Sequence, residues 1–324
     1  MTTAPQAAVT PLALVAGASR GLGLLIAREL GRRGHRLVIC ARSAAELDVA
    51  RATLAADGLD VRSAVCDVAD ADAVDSLVAS VEQQDGPIDV AVLVAGVIQV
   101  GPLASLTRDH FREAIDIMLW GPINLGLAVS GPMKSRGYGR IGVITSIGGL
   151  VPVPHLLPYS TAKFGAVGFS AGLRSELAGT GVKVTTVAPG LMRTGSHLRA
   201  EFTGNQAAEY SWFAPSATFP VLAMNPEKAA ARIVDGVLAG RAYVLLSVLT
   251  KVASRVNGLA PSTTSGLLGL AARFLPSGPP ARSTTTSQGH EVEARLKPLP
   301  AAAMKVITLL GRSSARRLNQ HPPG

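Results

Sequence analysis

At 324 residues the chain is long enough for one large α/β domain with extensions, or for two small domains. Hydrophobic residues make up 48% and charged residues 16%, which excludes a generally disordered chain and points to a well-buried core. The formal net charge of +9 is uneven: residues 249–324 hold 10 Lys/Arg against 2 Asp/Glu, while residues 1–248 nearly balance at 21 against 20. The main domain is therefore close to neutral, the basicity belongs to the tail, and nucleic acid is not an expected partner.

The opening stretch, M-T-T-A-P-Q-A-A-V-T-P, has neither a basic n-region nor a long apolar run. No signal peptide is expected, and residues 1–10 read as a flexible leader. Two cysteines, Cys40 and Cys66, fall at strand ends and make neither a disulfide framework nor a metal cluster. They read as small buried residues of a reducing compartment, so the expectation is a cytoplasmic protein with no metal.

Leu12 to Ala16 predicts a short apolar strand, followed at once by A-G-A-S-R-G-L-G (Ala16 to Gly23). A helix with Leu25, Ile26 and Leu30 on one side comes next. Glycine at 17, 21 and 23 lets the backbone turn tightly and approach a pyrophosphate, and a helix N-terminus offers it unpaired N–H groups. Strand, glycine turn and helix in succession make Gly17, Ser19, Arg20, Gly21, Leu22 and Gly23 candidate dinucleotide-binding residues. The second strand, Arg36 to Ala41, runs into Arg42 with no acid at its end. An acid there would bind a ribose 2′-hydroxyl, whereas arginine suits a 2′-phosphate, so Arg42 with Arg20 points to NADP(H).

The alternation continues with a helix over Ser43 to Asp57 and a strand over Val61 to Val65 that closes on Cys66, Asp67 and Val68. A helix over Ala71 to Gln83 and an apolar strand over Ile88 to Val94, closing on Ala95 and Gly96, come next. Such strands suit a parallel sheet covered on both faces. The fold expected is α/β: a doubly wound, Rossmann-type parallel sheet of about seven strands, with helices on both faces and a C-terminal helical extension. Ligands then bind at the carboxyl ends of the strands. Arg108 to Lys134 predicts a long helix interrupted at Gly121-Pro122.

Ile141 to Thr145 is a buried strand with Ser146 at its carboxyl end, and after a Gly/Pro-rich loop a helix begins beyond Pro158. Tyr159 and Lys163, at i and i+4, share one face of it. A nearby ammonium favours the phenolate, so Lys163 is expected to lower the Tyr159 pKa, while Ser146 could hold a carbonyl oxygen against the same phenol. Val182 to Val187 is a further strand, running into Ala188-Pro189-Gly190 and on to Thr194. Residues 189–226 have weak periodicity and carry Phe202, Tyr210, Trp212, Phe213 and Phe219. They read as an irregular substrate lid, with Tyr210, Trp212 and Phe213 as apolar pocket walls. A helix over Glu227 to Gly240 and a strand over Ala242 to Ser247 complete the domain, assigned to residues 11–248.

Leu249 to Gly258 and Ser265 to Phe274 predict two short amphipathic helices, neither long enough to span a bilayer. A basic, apolar-faced extension (249–275) fits peripheral membrane contact or packing over the pocket or a partner subunit. Pro276 to Gly289 reads as a flexible linker within a basic, partly disordered tail (276–324), with a short helix over Ala301 to Asn319.

Together these residues resemble the short-chain dehydrogenase/reductase family, of the classical type, over about residues 10–248. The family's Thr-Gly-x-x-x-Gly-x-Gly appears here with Ala16 in place of Thr. The resemblance implies that Ser146, Tyr159 and Lys163 are catalytic. It further implies that Asp67 contacts adenine and that Pro189-Gly190, with Thr194 beyond, contacts nicotinamide. The family's Asn-Asn-Ala-Gly is reduced to Leu93-Val94-Ala95-Gly96, and Met118 stands where the long helix often carries Asn. The function expected is an NADP(H)-dependent interconversion of a carbonyl and an alcohol on a small apolar substrate, by a homodimer or homotetramer. Two other readings are a weakly catalytic NADP(H)-binding sensor or scaffold, and a membrane-peripheral reductase of lipid or steroid-type substrates.

Overall fold

The computed structural model describes residues 10–218, 223–276, 284–296 and 308–320. Seven strands form one parallel sheet: β1 (Leu12–Ala16), β2 (Arg36–Ala41), β3 (Val61–Val65), β4 (Ile88–Leu93), β5 (Gly139–Ile144), β6 (Val182–Ala188) and β7 (Tyr243–Leu245). Their spatial order is β3-β2-β1-β4-β5-β6-β7, and every neighbouring pair is parallel. The order reverses between β1 and β4, which opens a crevice at the carboxyl strand ends.

Successive side chains of a strand point to opposite faces. Ala13, Val15, Leu37 and Ile39 thus enter one core layer, where α1 (Gly21–Arg32) and α8 (Pro226–Leu238) contribute Leu24, Ile26, Ile233 and Val237. Leu12, Leu14, Val38 and Cys40 enter the other, with Val74 and Leu77 of α3 (Ala71–Gln84) and Leu125 and Val129 of α5 (Gly121–Arg136). Two covered faces explain the unbroken apolar strands. Each fully buried Leu or Ile contributes about 1.5–3 kcal/mol. Cys40 and Cys66 are free and buried.

The expected long helix is present, and two other expectations are corrected. Its irregularity is a π-helical turn just before Gly121-Pro122. α4 (Arg108–Ile115) runs through a π-helical turn (Asp116–Trp120) straight into α5. Pro122 follows the π turn directly, where the wider ring closed by the Gly121 N–H on the Asp116 carbonyl accommodates a residue without an N–H. Residues 189–218 are also more regular than expected, since Gln206–Thr218 form helix α7 with Pro215 inside it. Its Ala- and Glu-containing first turns favour helix, and its aromatic residues obscured the period. Phe219 lies outside the described residues.

The second correction concerns the tail. Of the linker assigned to Pro276 to Gly289, residues 277–283 lie outside the described residues, but Ser287–Gln288 pair antiparallel with Glu201–Phe202. Helix α11 (Gly289–Ala294) begins at once after that strand. Residues 301–307 of the expected final helix also lie outside the described residues, yet Leu309–Arg317 form a helix, α12, that returns to the glycine loop. Leu318, after α12, is 1% exposed within the α1/α8 core layer. The extension is a pair of helices, α9 (Val248–Leu259) and α10 (Pro261–Ala272).

Candidate active site

The crevice at the strand ends is a cleft of about 670 Å³, the size of a ligand site. The end of β1 enters it through Gly17, whose φ of +84° suits glycine and whose Cβ position lies only 2.5 Å from the Ala95 nitrogen. No side chain fits there, so the loops after β1 and β4 close on each other. Ser19, Arg20, Leu22 and Gly23 line the same end, with Arg42, Asp67 and Val68 from the ends of β2 and β3. Asp67 Oδ1 accepts from the Ala69 N–H at 3.0 Å, which fixes its turn.

Ser146 stands at the end of β5 and caps a 3₁₀ turn (Ile147–Gly149), its Oγ accepting the Gly148 N–H at 3.1 Å. A Cβ on Gly148 would meet the Tyr159 ring at 3.0 Å, and one on Gly149 would meet the Lys163 carbonyl oxygen at 2.6 Å. Glycine at both positions lets helix α6 (Leu157–Glu176) seat its Tyr159/Lys163 face against the strand end. Ser146 Oγ and the Tyr159 ring flank Gly148, at 3.6 and 3.0 Å from its Cβ position. Lys163, 4% exposed, donates from Nζ to the Ile144 carbonyl at 2.9 Å, and Nζ lies 5.9 Å from the Tyr159 ring centroid.

The electrostatics correct one expectation. Burial pushes the Tyr159 phenol above its ordinary value, against a smaller lowering by the nearby Ser146 hydroxyl, and Lys163 is not among the causes that move it. Burial also lowers Lys163 to about 8, desolvating its ammonium with no carboxylate among the described residues to compensate. Met118, fully buried in the π turn, lies with Lys163 at the edge of Gly96: the Cβ position of Gly96 is 3.5 Å from Met118 Sδ and 3.9 Å from Lys163 Nζ. An apolar thioether thus stands where the resemblance implies an amide.

Ala95, Gly96, Pro189, Gly190, Thr194, Trp212 and Phe213 line the cleft as well, so most sequence-predicted residues converge. Two do not. Tyr210 is fully buried in the core behind the cleft, edge-on to Phe202 at 5.5 Å. Gly21 is absent from the cleft wall because its N–H donates to the Leu318 carbonyl at 2.8 Å and the Gln320 side chain covers it.

Of the cleft residues that escaped the sequence reading, two bear on its electrostatics and closure. Glu46 fits an S-x-x-E capping pattern with Ser43, whose Oγ accepts the Glu46 N–H at 3.3 Å. Its carboxylate, however, accepts from Arg20 Nη1 at 2.5 and 2.6 Å and from Ser19 Oγ at 3.1 Å, with Arg199 at 3.4 Å. Gln320 reaches the cleft from the far end of the chain, its carbonyl accepting from Arg199 Nε at 3.1 Å. No local pattern signals it. Deeper in the cleft, Trp212 is held by Glu209, fully buried, which accepts from Trp212 Nε1 at 2.7 Å and pairs with His155 Nδ1 at 2.9 Å.

These residues suit a nicotinamide dinucleotide: tight backbone at Gly17 and Gly23, Arg20 and Arg42 at the β2 end, and the hydroxyl pair of Ser146 and Tyr159 beside Pro189-Gly190. Residues 11–202 match the family model described as short chain dehydrogenase. A Streptomyces coelicolor protein assigned as a ketoacyl reductase is 40% identical over 185 residues, 56% of this chain and 71% of that protein. A short-chain dehydrogenase structure from Streptomyces avermitilis superposes with a TM-score of 0.70 at 27% identity, covering 82% of this chain and 98% of that one. A variant of the actinorhodin polyketide ketoreductase crystallised with NADPH gives 0.64 at 30% identity, covering 74% and 97%.

Proposed function

The chain belongs to the short-chain dehydrogenase family, and from that premise we propose that it is an NADP(H)-dependent reductase of an apolar carbonyl compound. The coarser statement, an oxidoreductase working between carbonyl and alcohol, follows from membership and from the ketoacyl reductase it is similar to. The bound nicotinamide supplies or takes the hydride. The observation that carries the finer reading is the hydroxyl pair: Ser146 and Tyr159 line the same cleft on either side of Gly148, beside a desolvated Lys163.

Two hydroxyls so placed converge on one carbonyl oxygen, Ser146 donating to the developing oxyanion and Tyr159 donating its phenolic proton. A phenol pushed above its usual value holds that proton at neutral pH, which favours the direction of reduction. Lys163, fixed by the Ile144 carbonyl, serves to hold the nicotinamide ribose and to steady the phenolate left after transfer. NADP(H) over NAD(H) is supported by the absence of an acid at the end of β2 and by Arg42 there. The Glu46 carboxylate on Arg20 opposes it, leaving Arg42 as the chief support. Exposed Trp120, Leu127 and Phe164 on the long helices suit a homodimer or homotetramer through that face.

Replacing Tyr159 by Phe tests the assignment. Turnover with NADPH across a panel of ketones and aldehydes should fall roughly 10²–10⁴-fold while NADPH binding is retained. A variant that keeps near wild-type rates removes Tyr159 from the chemistry.

A further inference from the structure

We infer that the α9–α10 helix pair is a docking face for an anionic lipid bilayer, set at the mouth of the cleft. Of the 24 residues in these two helices, only Thr250 is buried, and α10 buries none. Val248, Val252, Val256 and Leu259 repeat at helical spacing along α9, and Leu267, Leu270 and Phe274 do so along α10 and its end. All seven are exposed, Val248 at 77%, Leu259 at 88% and Phe274 at 85%. An apolar surface this continuous is rarely left to water in a soluble domain.

Charge decides between occupants. Lys251, Arg255 and Arg273 are exposed and flank the apolar stripes, and between Asp235 and Glu291 the sequence has no carboxylate side chain. A second copy docked face to face would set these cations against one another with no acid to pair them. A peptide helix would need an apolar groove, whereas α9 buries only Thr250 and α10 buries no residue. An anionic bilayer satisfies both features at once: the apolar stripe enters the acyl boundary while long basic side chains reach the headgroups.

The placement joins this face to the site. Leu249 at the start of α9 lines the cleft, and Asn257 Nδ2 donates to the Leu150 carbonyl at 2.9 Å, tying α9 to the loop after Ser146. A protein seated on this face would present its cleft to the bilayer surface, where an apolar substrate partitions.

The test uses the full chain with vesicles of phosphatidylcholine alone and of a mixture with phosphatidylglycerol, read by co-flotation. Partition to the anionic vesicles is expected to exceed that to neutral ones at least tenfold, and to weaken with salt. A Lys251→Gln/Arg255→Gln variant should lose about thirtyfold, from roughly a fivefold factor for each cation near an anionic surface. Leu267→Asp/Leu270→Asp should abolish flotation, and both variants should keep the wild-type thermal transition. No flotation with either vesicle, or equal partition to both, overturns the inference. It is likewise overturned if Leu267→Asp/Leu270→Asp converts an oligomer to a smaller species by light scattering while flotation persists. Flotation needs no turnover, so a failed activity assay does not bear on it.

Discussion

The Gly21 main-chain N–H donates to the Leu318 main-chain oxygen at 2.8 Å, so the first residue of α1 is capped from near the opposite end of the chain. Asn319 reinforces the contact, its Nδ2 donating to the Ser19 carbonyl at 2.9 Å. The tail is therefore part of the cleft wall. Leu318→Ala is expected to cost about 2–5 kcal/mol, as for other buried leucines, measured by urea denaturation. NADPH affinity, titrated by fluorescence, should weaken with it, because Gln320 loses its seat over Gly21.

Lys163 predicts a pH dependence in two directions. With its pKa near 8, the ammonium is lost as pH rises through that value, so kcat/KM for reduction should fall above about pH 8. For stability the sign is opposite. The folded pKa lies below the ordinary 10.5, so between these values the unfolded chain binds more protons and stability rises with pH. Lys163→Met should flatten that rise in denaturant midpoints taken across the interval.

Arg42 is expected to set the cofactor ratio. Arg42→Ala should raise the KM for NADPH roughly tenfold to a hundredfold, the worth of a charge-assisted hydrogen bond, and leave that for NADH nearly unchanged. Equal effects on both cofactors would show that Arg42 does not meet a 2′-phosphate.

Glu209 positions Trp212 from behind the cleft. Glu209→Ala strands the His155 ring and the Trp212 indole N–H, and the expected loss is about 3 kcal/mol. The substrate KM should rise more than kcat falls, since Trp212 lines the cleft at a distance from the hydroxyl pair. A conservative Glu209→Gln, which still accepts from Trp212, should recover part of the KM.

The elements nearest the chemistry were legible because they are local. Gly17 to Gly23 after an apolar strand, Ser146 at a strand end, and Tyr159 with Lys163 one helical turn apart each declare their geometry within a few residues. The Tyr159 pKa was not legible in this way. A spacing of four places an ammonium on the same helix face, but the Ile144 carbonyl takes Nζ, and burial acts on both groups. Tyr210 failed for a related reason, since an aromatic residue near a pocket faces either the pocket or the core behind it. Here Phe202 and α11 surround it on the core side.

By itself the sequence determined the alternation of apolar strands and helices, and with it the parallel sheet, the crevice at its switch point and the order of residues along it. Those properties follow from periodicity and backbone sterics, which act between near neighbours. Only the tertiary structure decided that Glu46 claims Arg20, that Leu318 and Gln320 close over Gly21, and that among the described residues nothing covers the apolar stripes of α9 and α10. Such pairings join residues far apart in the chain, and their free energy exists only once the fold has brought them together.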